Sequence, residues 1–320
     1  MIETHGLRKA FRSRAGRRTT TVDAVRGVDL AVAEGEIFGF LGPNGAGKTT
    51  TLRMLATLIQ PDGGEAVLAG ADLRRAPGEV RRRIGYVAQG GSTWDESTAR
   101  EELVLQARMY GIGKADAQAR TVRALDSFQL SEYADRKCRT YSGGQRRRVE
   151  IALGIIHEPR IVFLDEPTTG LDPQSRAYMW DEIRRLRAEG MTVFITTHYL
   201  EEADALCDRI AIIDHGEVVV EGTPADLKRE VSGDVVLVGL DTPAAVESAT
   251  RLLADEPYVR TVEAGEGTGL RLSVDEGATA IPRILRRVDA AGLDLRSIGL
   301  HRPSLDDVFL TKTGRSLRES

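Results

Sequence analysis

The sequence predicts an α/β protein: a main domain built on a doubly wound parallel sheet, followed by a small α+β domain. A glycine-rich loop at 42–49 lies between an apolar run and a helical pattern. Two further apolar runs, 161–164 and 191–196, are typical of strands buried on both faces of a parallel sheet. A chain of 320 residues also exceeds the usual size of one compact core, which favours a main domain with an appendage.

The remaining elements of the main domain follow from apolar patterns and turns. We expect a strand at 35–41 before the glycine-rich loop and a helix at 49–59 after it. The segment 174–188 is predicted to be a crossover helix, and 209–221 a hairpin. The segment from about 92 to 158 is rich in Glu, Arg, Ala and Leu without a strand pattern, so we expect a helical insertion there.

The pattern changes after residue 224, where short strands and helices predict the second domain. The expected order is strand 235–240, helix 244–254, strands 259–264 and 270–274, helix 281–291 and strand 295–301. Ser304 and Asp307 have the spacing of a helix capping box, which predicts a final short helix through Phe309.

Composition excludes several classes of protein. Lys and Arg total 44 against 48 Asp and Glu, a formal charge of -4, which gives no broad basic surface for nucleic acid. The two cysteines, Cys138 and Cys207, lack the spacing of a disulfide framework or a zinc site. No signal pattern or membrane-spanning run is present, so we expect a cytoplasmic protein that serves a membrane only by docking onto another subunit.

The glycine-rich loop reads as GxxxxGK[ST], the pattern of a phosphate-binding loop. Small residues let backbone N–H groups converge on phosphate at a helix N-terminus, while Lys48 reaches the β and γ phosphates and the Thr49 hydroxyl coordinates Mg²⁺. The predicted nucleotide contacts of this segment are Gly42, Pro43, Asn44, Gly45, Ala46, Gly47, Lys48, Thr49 and Thr50.

Two later strand ends carry the other candidate catalytic groups. Asp165 and Glu166 end one apolar run, and we expect Asp165 to hold Mg²⁺ and Glu166 to orient or deprotonate the attacking water. His198 ends the next run, at the edge of the sheet where open α/β folds bind ligands. We expect it to contact the γ-phosphate.

Taken in order, six elements resemble the nucleotide-binding subunit of ATP-binding cassette (ABC) transporters over roughly residues 2–224. They are Gly42–Thr49, Gln89, Ser142–Gln145, Leu164–Glu166, Gly170–Asp172 and His198. The resemblance implies a RecA-like core with antiparallel β and helical subdomains, ATP and Mg²⁺ as cofactors, and two domains at 1–224 and 225–320, with the helical subdomain at about 92–158.

The resemblance also implies roles for individual residues. Ser142, Gly143, Gly144 and Gln145 of one subunit would bind the γ-phosphate held by the Lys48 loop of the other. Gln89 would join Thr49 and Asp165 as a metal ligand, and Asp172 would signal between the two sites. Phe11 would stack on adenine, with a buried packing role as the alternative. The run Arg146–Arg148 is interpreted as a solvated helix face in preference to a source of positive field.

The segment 225–313 resembles the C-terminal extension of the daunorubicin-resistance type of ABC ATPase. This implies an exporter of hydrophobic drugs or antibiotics with a separately encoded polytopic permease, at the cytoplasmic face of the membrane. The cassettes would act as a homodimer, or as a pair with another cassette chain. Docking is expected at 90–102, where Trp94 looks exposed. The tail could instead only buttress the dimer.

Other functions remain as alternatives. One is a soluble cassette ATPase that acts on ribosomes or DNA, and another is a transporter subunit for a lipid or polysaccharide. A metabolic P-loop kinase or GTPase would not explain Ser142–Gln145 or His198.

Overall fold

The computed structural model describes residues 1–15, 18–231, 234–265 and 267–314. The chain divides into two compact units, residues 1–224 and 225–319. In chain order the strands are β1 (Ile2–Ala15), β2 (Arg18–Val32), β3 (Ile37–Leu41), β4 (Gly63–Leu68), β5 (Ala71–Asp72), β6 (Ile84–Val87), β7 (Ile161–Asp165), β8 (Thr192–Thr197), β9 (Arg209–Asp214), β10 (Glu217–Gly222), β11 (Asp234–Leu240), β12 (Val259–Ala264), β13 (Gly269–Val274) and β14 (Leu295–His301).

Helices alternate with these strands in both units. They are α1 (Lys48–Leu55), α2 (Pro77–Arg83), α3 (Ala99–Met109), α4 (Lys114–Ser127), α5 (Gly143–Ile155), α6 (Pro173–Ala188), α7 (Leu200–Leu206), α8 (Pro224–Val231), α9 (Pro243–Ala254), α10 (Gly277–Ala290) and α11 (Leu305–Thr313). Short 3₁₀ turns lie at Ser131–Tyr133 and Cys138–Thr140.

A six-stranded sheet with the order β10-β9-β3-β8-β7-β6 forms the centre of the first unit. Its strands β9, β3, β8, β7 and β6 pair in parallel, and β10 adds an antiparallel edge. Every residue of β3, β7 and β8 is buried, as the continuous apolar runs predict. The carboxyl ends of these parallel strands therefore meet at one edge of the sheet, where the predicted catalytic residues follow them.

A second, antiparallel sheet of the first unit has the order β2-β1-β4-β5. Its two long strands pair from Ile2 opposite Val32 to Ala15 opposite Arg18, with register shifts along the way. The side chains of this sheet share a core with the parallel sheet through residues such as Leu30, Phe40 and Phe163. Three helices, α3, α4 and α5, fill the segment between β6 and β7, where a helical insertion is predicted.

The second unit contains a four-stranded antiparallel sheet with the order β12-β13-β11-β14. Its core joins strand residues such as Val236 and Leu272 to Leu253 of α9 and Ile284 of α10. The chain order of strands and helices matches the sequence expectation, although α10 begins at Gly277 rather than Ile281. The predicted capping box is present, since Ser304 accepts from the Asp307 N–H and the Asp307 carboxylate accepts from the Ser304 N–H.

A helix boundary in the first unit also differs from the sequence expectation. The helix predicted at 49–59 ends at Leu55, because Thr57 adopts a positive φ of 62° that helical backbone does not allow. Leu58 continues the apolar spacing of the helix but is 56 % exposed. The apolar spacing therefore predicts too long a helix for α1.

Candidate nucleotide-binding site

The glycine-rich loop turns directly from β3 into α1. Gly47 caps the helix with φ at 107°, and a Cβ there would lie 2.4 Å from the Ala24 carbonyl oxygen, so the position requires glycine. Asn44 and Gly45 are exposed at the tip, while Gly42, Pro43 and Ala46 are buried and Thr50 is half-buried. The loop exposes its tip at Asn44 and Gly45 and leads directly into the N-terminus of α1, the arrangement that binds phosphate in loops of this kind.

Lys48 begins α1, and its ammonium folds back over the loop. Its Nζ donates to the carbonyl oxygens of Gly42 at 2.7 Å and Pro43 at 3.1 Å. The same Nζ lies 3.5 Å from Glu166 Oε1, and both side chains are 5 % exposed. Burial lowers the pKa of Lys48, and the nearby Glu166 carboxylate partly opposes that shift. The predicted phosphate-binding cation and the predicted catalytic carboxylate are therefore neighbours.

Glu166 gathers three further side chains around its other oxygen, Oε2. Gln89 Nε2 donates to it at 2.8 Å and Thr169 Oγ1 at 3.2 Å. His198 Nδ1 lies 3.2 Å from the same oxygen, without hydrogen-bond geometry. The structure thus brings Gln89, Glu166 and His198 together, and it adds Thr169, which the motif pattern did not single out.

The backbone at Glu166 is held in an unusual conformation. Its φ is 45°, in the left-handed region that residues other than glycine rarely adopt. The Glu166 N–H donates to the Thr196 carbonyl oxygen at 3.1 Å and to Thr196 Oγ1 at 3.0 Å. Strained backbone of this kind is concentrated at functional sites, where the surrounding structure enforces it.

Asp165 lies beside the loop through hydroxyl contacts. Thr49 Oγ1 donates to Asp165 Oδ1 at 3.1 Å, and Thr196 Oγ1 donates to the same oxygen at 2.6 Å. The Asp165 residue is 1 % exposed. Hydroxyl and carboxylate oxygens are the ligands that Mg²⁺ prefers, so the chemistry of Thr49 and Asp165 fits that ion. Thr196 was not predicted as a site residue, although it lies next to the last residue of the buried strand β8.

Ser142 begins α5 with a capping box. The Gln145 N–H donates to Ser142 Oγ at 3.2 Å, and the Ser142 N–H donates to Gln145 Oε1 at 3.0 Å. Ser142 and Gly143 are exposed. Among the described residues, no hydrogen bond or ion pair joins 142–145 to the loop at 42–50. This helix start therefore faces outward, and within one chain it does not complete the site.

Asp172 caps α6 next to the start of α5. The Ser175 N–H and Oγ donate to the two Asp172 carboxylate oxygens at 2.9 and 2.7 Å, and these hydrogen bonds lower the Asp172 pKa. A Cβ on Gly144 would lie 2.7 Å from Ser175 Oγ, so the two helix starts approach closely only because residue 144 is glycine.

Phe11 lies on β1, away from the charged cluster. Its ring is 44 % exposed, and Lys9 Nζ lies 5.7 Å from the ring centroid. This exposure contradicts the alternative of a buried packing role. Stacking of the ring on adenine stays a prediction.

The interpretation of Arg146–Arg148 as a solvated helix face is wrong for Arg147, which is 7 % exposed. Its guanidinium turns inward and donates to backbone carbonyl oxygens near the catalytic cluster. Three consecutive arginines gave no sequence signal for which one would be buried.

The fold and this arrangement identify the chain as an ATP-binding subunit of the ABC transporter family. The ABC transporter family model matches residues 25–169, and the chain is an ATPase of this class. A second family model, for the C-terminal domain of DrrA1-3-like ATP-binding proteins, matches residues 222–313.

Curated relatives cover almost the whole chain. The daunorubicin/doxorubicin resistance ATP-binding protein DrrA of Streptomyces peucetius is 45 % identical, covering 98 % of this chain and 92 % of that protein. The linearmycin resistance ATP-binding protein LnrL of Bacillus subtilis is 34 % identical over the full length of both chains. The Nod factor export ATP-binding protein I of Burkholderia orbicola is 38 % identical, covering 92 % of this chain and 93 % of that protein.

Solved structures confirm the predicted cassette fold. A dimeric post-hydrolysis state of the ATP-binding cassette MJ0796 bound to ADP and Pi superimposes with a TM-score of 0.63 at 27 % identity. The match covers 70 % of this chain and 98 % of that one. The ATP-binding subunit of another ABC transporter gives a TM-score of 0.62 at 28 % identity, covering 72 % and 92 % of the two chains.

Proposed function

We propose that this chain supplies ATP energy to an exporter of a hydrophobic drug or antibiotic, whose membrane path is a separately encoded polytopic permease. The observation that carries the proposal is the nearly full-length similarity to resistance ATP-binding proteins, including the segment 222–313 that matches the DrrA1-3-like C-terminal domain. The relative named for Nod factor export supports the direction of transport and a substrate that differs between relatives. Substrate choice would then lie in the permease.

Two cassettes would share each nucleotide. The exposed start of α5 at Ser142 has helix N–H groups and a favourable dipole for an anion, but no bond to the loop of its own chain. A second copy would place that start against the γ-phosphate bound at Lys48. ATP would then close the dimer, and loss of the γ-phosphate would remove contacts that only the closed state makes.

The chemistry at each shared site would follow from the Glu166 cluster. Mg²⁺ held by Thr49, Asp165 and Gln89 would neutralise developing phosphate charge. Glu166 would orient or deprotonate the attacking water, while His198 would contact the γ-phosphate. Lys48 would balance phosphate charge from the loop. All these side chains except Gln89 and His198 come from the phosphate loop or the end of β7, so the parallel sheet sets their positions.

A groove beside Trp94 offers a surface for the permease. It has a volume of about 260 Å³ and is lined by residues that include Trp94, Leu105 and Met109. These three side chains are 70 %, 51 % and 75 % exposed, and exposed apolar side chains gathered around a groove mark interaction sites. Ser92 and Trp94 of the groove follow Gln89 closely in the chain, so a docked permease segment would respond to events at the nucleotide.

No helix among the described residues has the length and apolar character needed to cross a membrane. The similarity to ATP-binding subunits of transporters supports a place at the cytoplasmic face of the membrane, where the permease would hold the chain.

Co-expression with a candidate permease tests the proposal. A tagged chain should recover a polytopic membrane protein, and cells expressing both should retain less doxorubicin than cells carrying Lys48→Ala. Recovery of ribosomal RNA or DNA in place of a membrane protein would contradict the exporter and favour a soluble cassette ATPase. Recovery of the permease without any change in drug content would retain the transporter and reject this drug as its substrate.

A further inference from the structure

Arg147 makes an unusual set of buried contacts from the middle of α5. Its Nε donates to the Pro167 carbonyl oxygen at 2.9 Å, and its Nη2 donates to the Asp165 carbonyl oxygen at 3.1 Å. Its Nη1 donates to the Ala88 carbonyl oxygen at 2.7 Å. One guanidinium therefore holds the backbone on both sides of Glu166 and the backbone immediately before Gln89.

The charge of Arg147 is balanced inside the protein. Its Nη1 lies 2.9 Å from Glu150 Oε2, three residues later on the same helix. The two side chains are 8 % and 5 % exposed, so both charges are withdrawn from water. Glu150 thus makes a buried arginine tolerable, since an unpaired charge at that depth would strongly destabilise the fold.

The planar guanidinium is suited to this task. It presents five N–H donors in a fixed geometry, so bonds to three separate carbonyl oxygens constrain the relative positions of the segments that carry them. A lysine ammonium would supply the charge from a flexible stem but could not span the same three acceptors.

We propose that Arg147 is a positioning residue that links the γ-phosphate-binding start of α5 to the catalytic cluster. The inference rests on the proposed function, in which Ser142 of α5 receives phosphate from a second cassette. Arg147 lies between that start and the segments that carry Glu166 and Gln89. Displacement of α5 by the partner's nucleotide is therefore transmitted to the carboxylate that orients water.

Strain at Glu166 makes this link consequential. Glu166 holds a positive φ of 45°, and Arg147 donates to the carbonyl oxygens of the residues immediately before and after it. A small shift of either carbonyl alters the direction of the Glu166 side chain. Misplacement of a catalytic group by about 1 Å can cost about 100-fold in rate.

The competing explanation is that Arg147 only satisfies buried carbonyl oxygens and the Glu150 charge. Two variants separate the explanations. Arg147→Lys keeps the charge beside Glu150 and removes the planar fork. The double variant Arg147→Met with Glu150→Leu removes both charges at similar volume, a replacement that buried ion pairs often tolerate without loss of stability.

Steady-state ATP hydrolysis by the purified chain, with thermal melting alongside, is the test. We expect both variants to fold and to keep the KM for ATP within about 3-fold, because the Lys48 loop is unchanged, while kcat falls about 10- to 100-fold. A folded variant of either kind with kcat within about 2-fold of the parent would overturn the proposal.

Arg148→Met is the matched control. Arg148 is the next residue of α5, and its guanidinium lies 4.1 Å from the Tyr178 ring centroid, away from Gln89 and Glu166. We expect it to change the melting temperature without changing kcat. Glu166→Gln distinguishes the two levels of inference. If Glu166→Gln is inactive while Arg147→Lys has a normal kcat, only the proposed role of Arg147 is contradicted. If Glu166→Gln is fully active, the proposed catalytic role of Glu166 is itself contradicted.

Discussion

Lys48 Nζ and Glu166 Oε1 lie 3.5 Å apart in the interior of the site, where each side chain is 5 % exposed. The two opposite charges lower each other's cost of burial. A triphosphate that enters the loop offers Lys48 a stronger anionic partner than one carboxylate. We therefore expect nucleotide binding to draw Lys48 towards phosphate and to free Glu166 for the attacking water.

Glu166→Gln should separate ATP binding from ATP hydrolysis. The amide keeps the size of the side chain and a hydrogen bond acceptor but loses the negative charge that we propose activates water. We expect kcat to fall at least about 100-fold while ATP still binds. Closed dimers should then accumulate with ATP, which size-exclusion chromatography would detect.

Lys48→Ala provides the contrasting control, because it removes the cation that we propose holds phosphate. It should weaken ATP binding and give no dimer. Near-normal turnover in Glu166→Gln would require another base.

Mixed dimers should reveal that sites are shared between chains. Lys48→Ala and Ser142→Arg should each be inactive as a homodimer, since each site lacks either the loop cation or an accessible α5 start. A mixture should restore one intact site per mixed dimer, formed by Lys48 of one chain and Ser142 of the other. We expect activity near one quarter of the parent for an equimolar mixture, if the two sites act independently and chains pair at random. No recovery in demonstrably mixed dimers would contradict a shared site.

Much of the site could be predicted from sequence because its residues are fixed to strand ends. Asp165, Glu166 and His198 follow buried apolar runs, and parallel strands bring their carboxyl ends to one edge. The loop at 42–49 has the residue spacing of a phosphate-binding loop, which predicts its chemistry directly. The loop motif and the sheet topology therefore predict the same position for the site.

Other features depend on contacts between distant segments and left no local pattern. The pairing of β1 with β2 contains register shifts that interrupt simple alternation. Arg147 could not be distinguished from Arg146 and Arg148, because burial of one arginine depends on carbonyl oxygens just after β6, at the end of β7 and in the turn after β7. Thr196 and Thr169 likewise acquire roles only through the folded position of Glu166.

Trp94→Ala should impair assembly with the permease and leave the isolated ATPase intact. Trp94 is 70 % exposed, so its loss removes little packing within the chain but a large apolar surface from the groove. We expect at least about 10-fold weaker recovery of the permease in pull-downs. Val122→Ala is a suitable control, because Val122 is 57 % exposed on α4 and does not line the groove. Equal recovery by both variants would exclude Trp94 from the contact.

Glu202 lies on α7, which follows His198, and it links Thr168 in the segment after Glu166 to Trp180 of α6. It is fully buried, and its Oε1 accepts from Thr168 Oγ1 at 2.8 Å and Trp180 Nε1 at 3.2 Å. Burial raises the pKa of Glu202, against the opposing effects of hydrogen bonds from Thr197, Thr168 and Trp180 and the charge of Arg176. The folded chain therefore holds this proton to a higher pH than the unfolded chain does.

Glu202→Gln should consequently reduce the pH dependence of stability. In the parent, the contribution of Glu202 is fully present below its unfolded pKa and is lost as pH rises through the raised folded value. Glutamine keeps an acceptor for Thr168 and Trp180 but does not ionise. We expect the variant's melting temperature, relative to the parent's, to be higher at about pH 8 than at about pH 5. Differential scanning calorimetry would measure this, with the Trp180 emission of a Trp94→Phe background as a local probe. If the difference in melting temperature between parent and variant stays the same across that pH range, Glu202 does not titrate differently on folding.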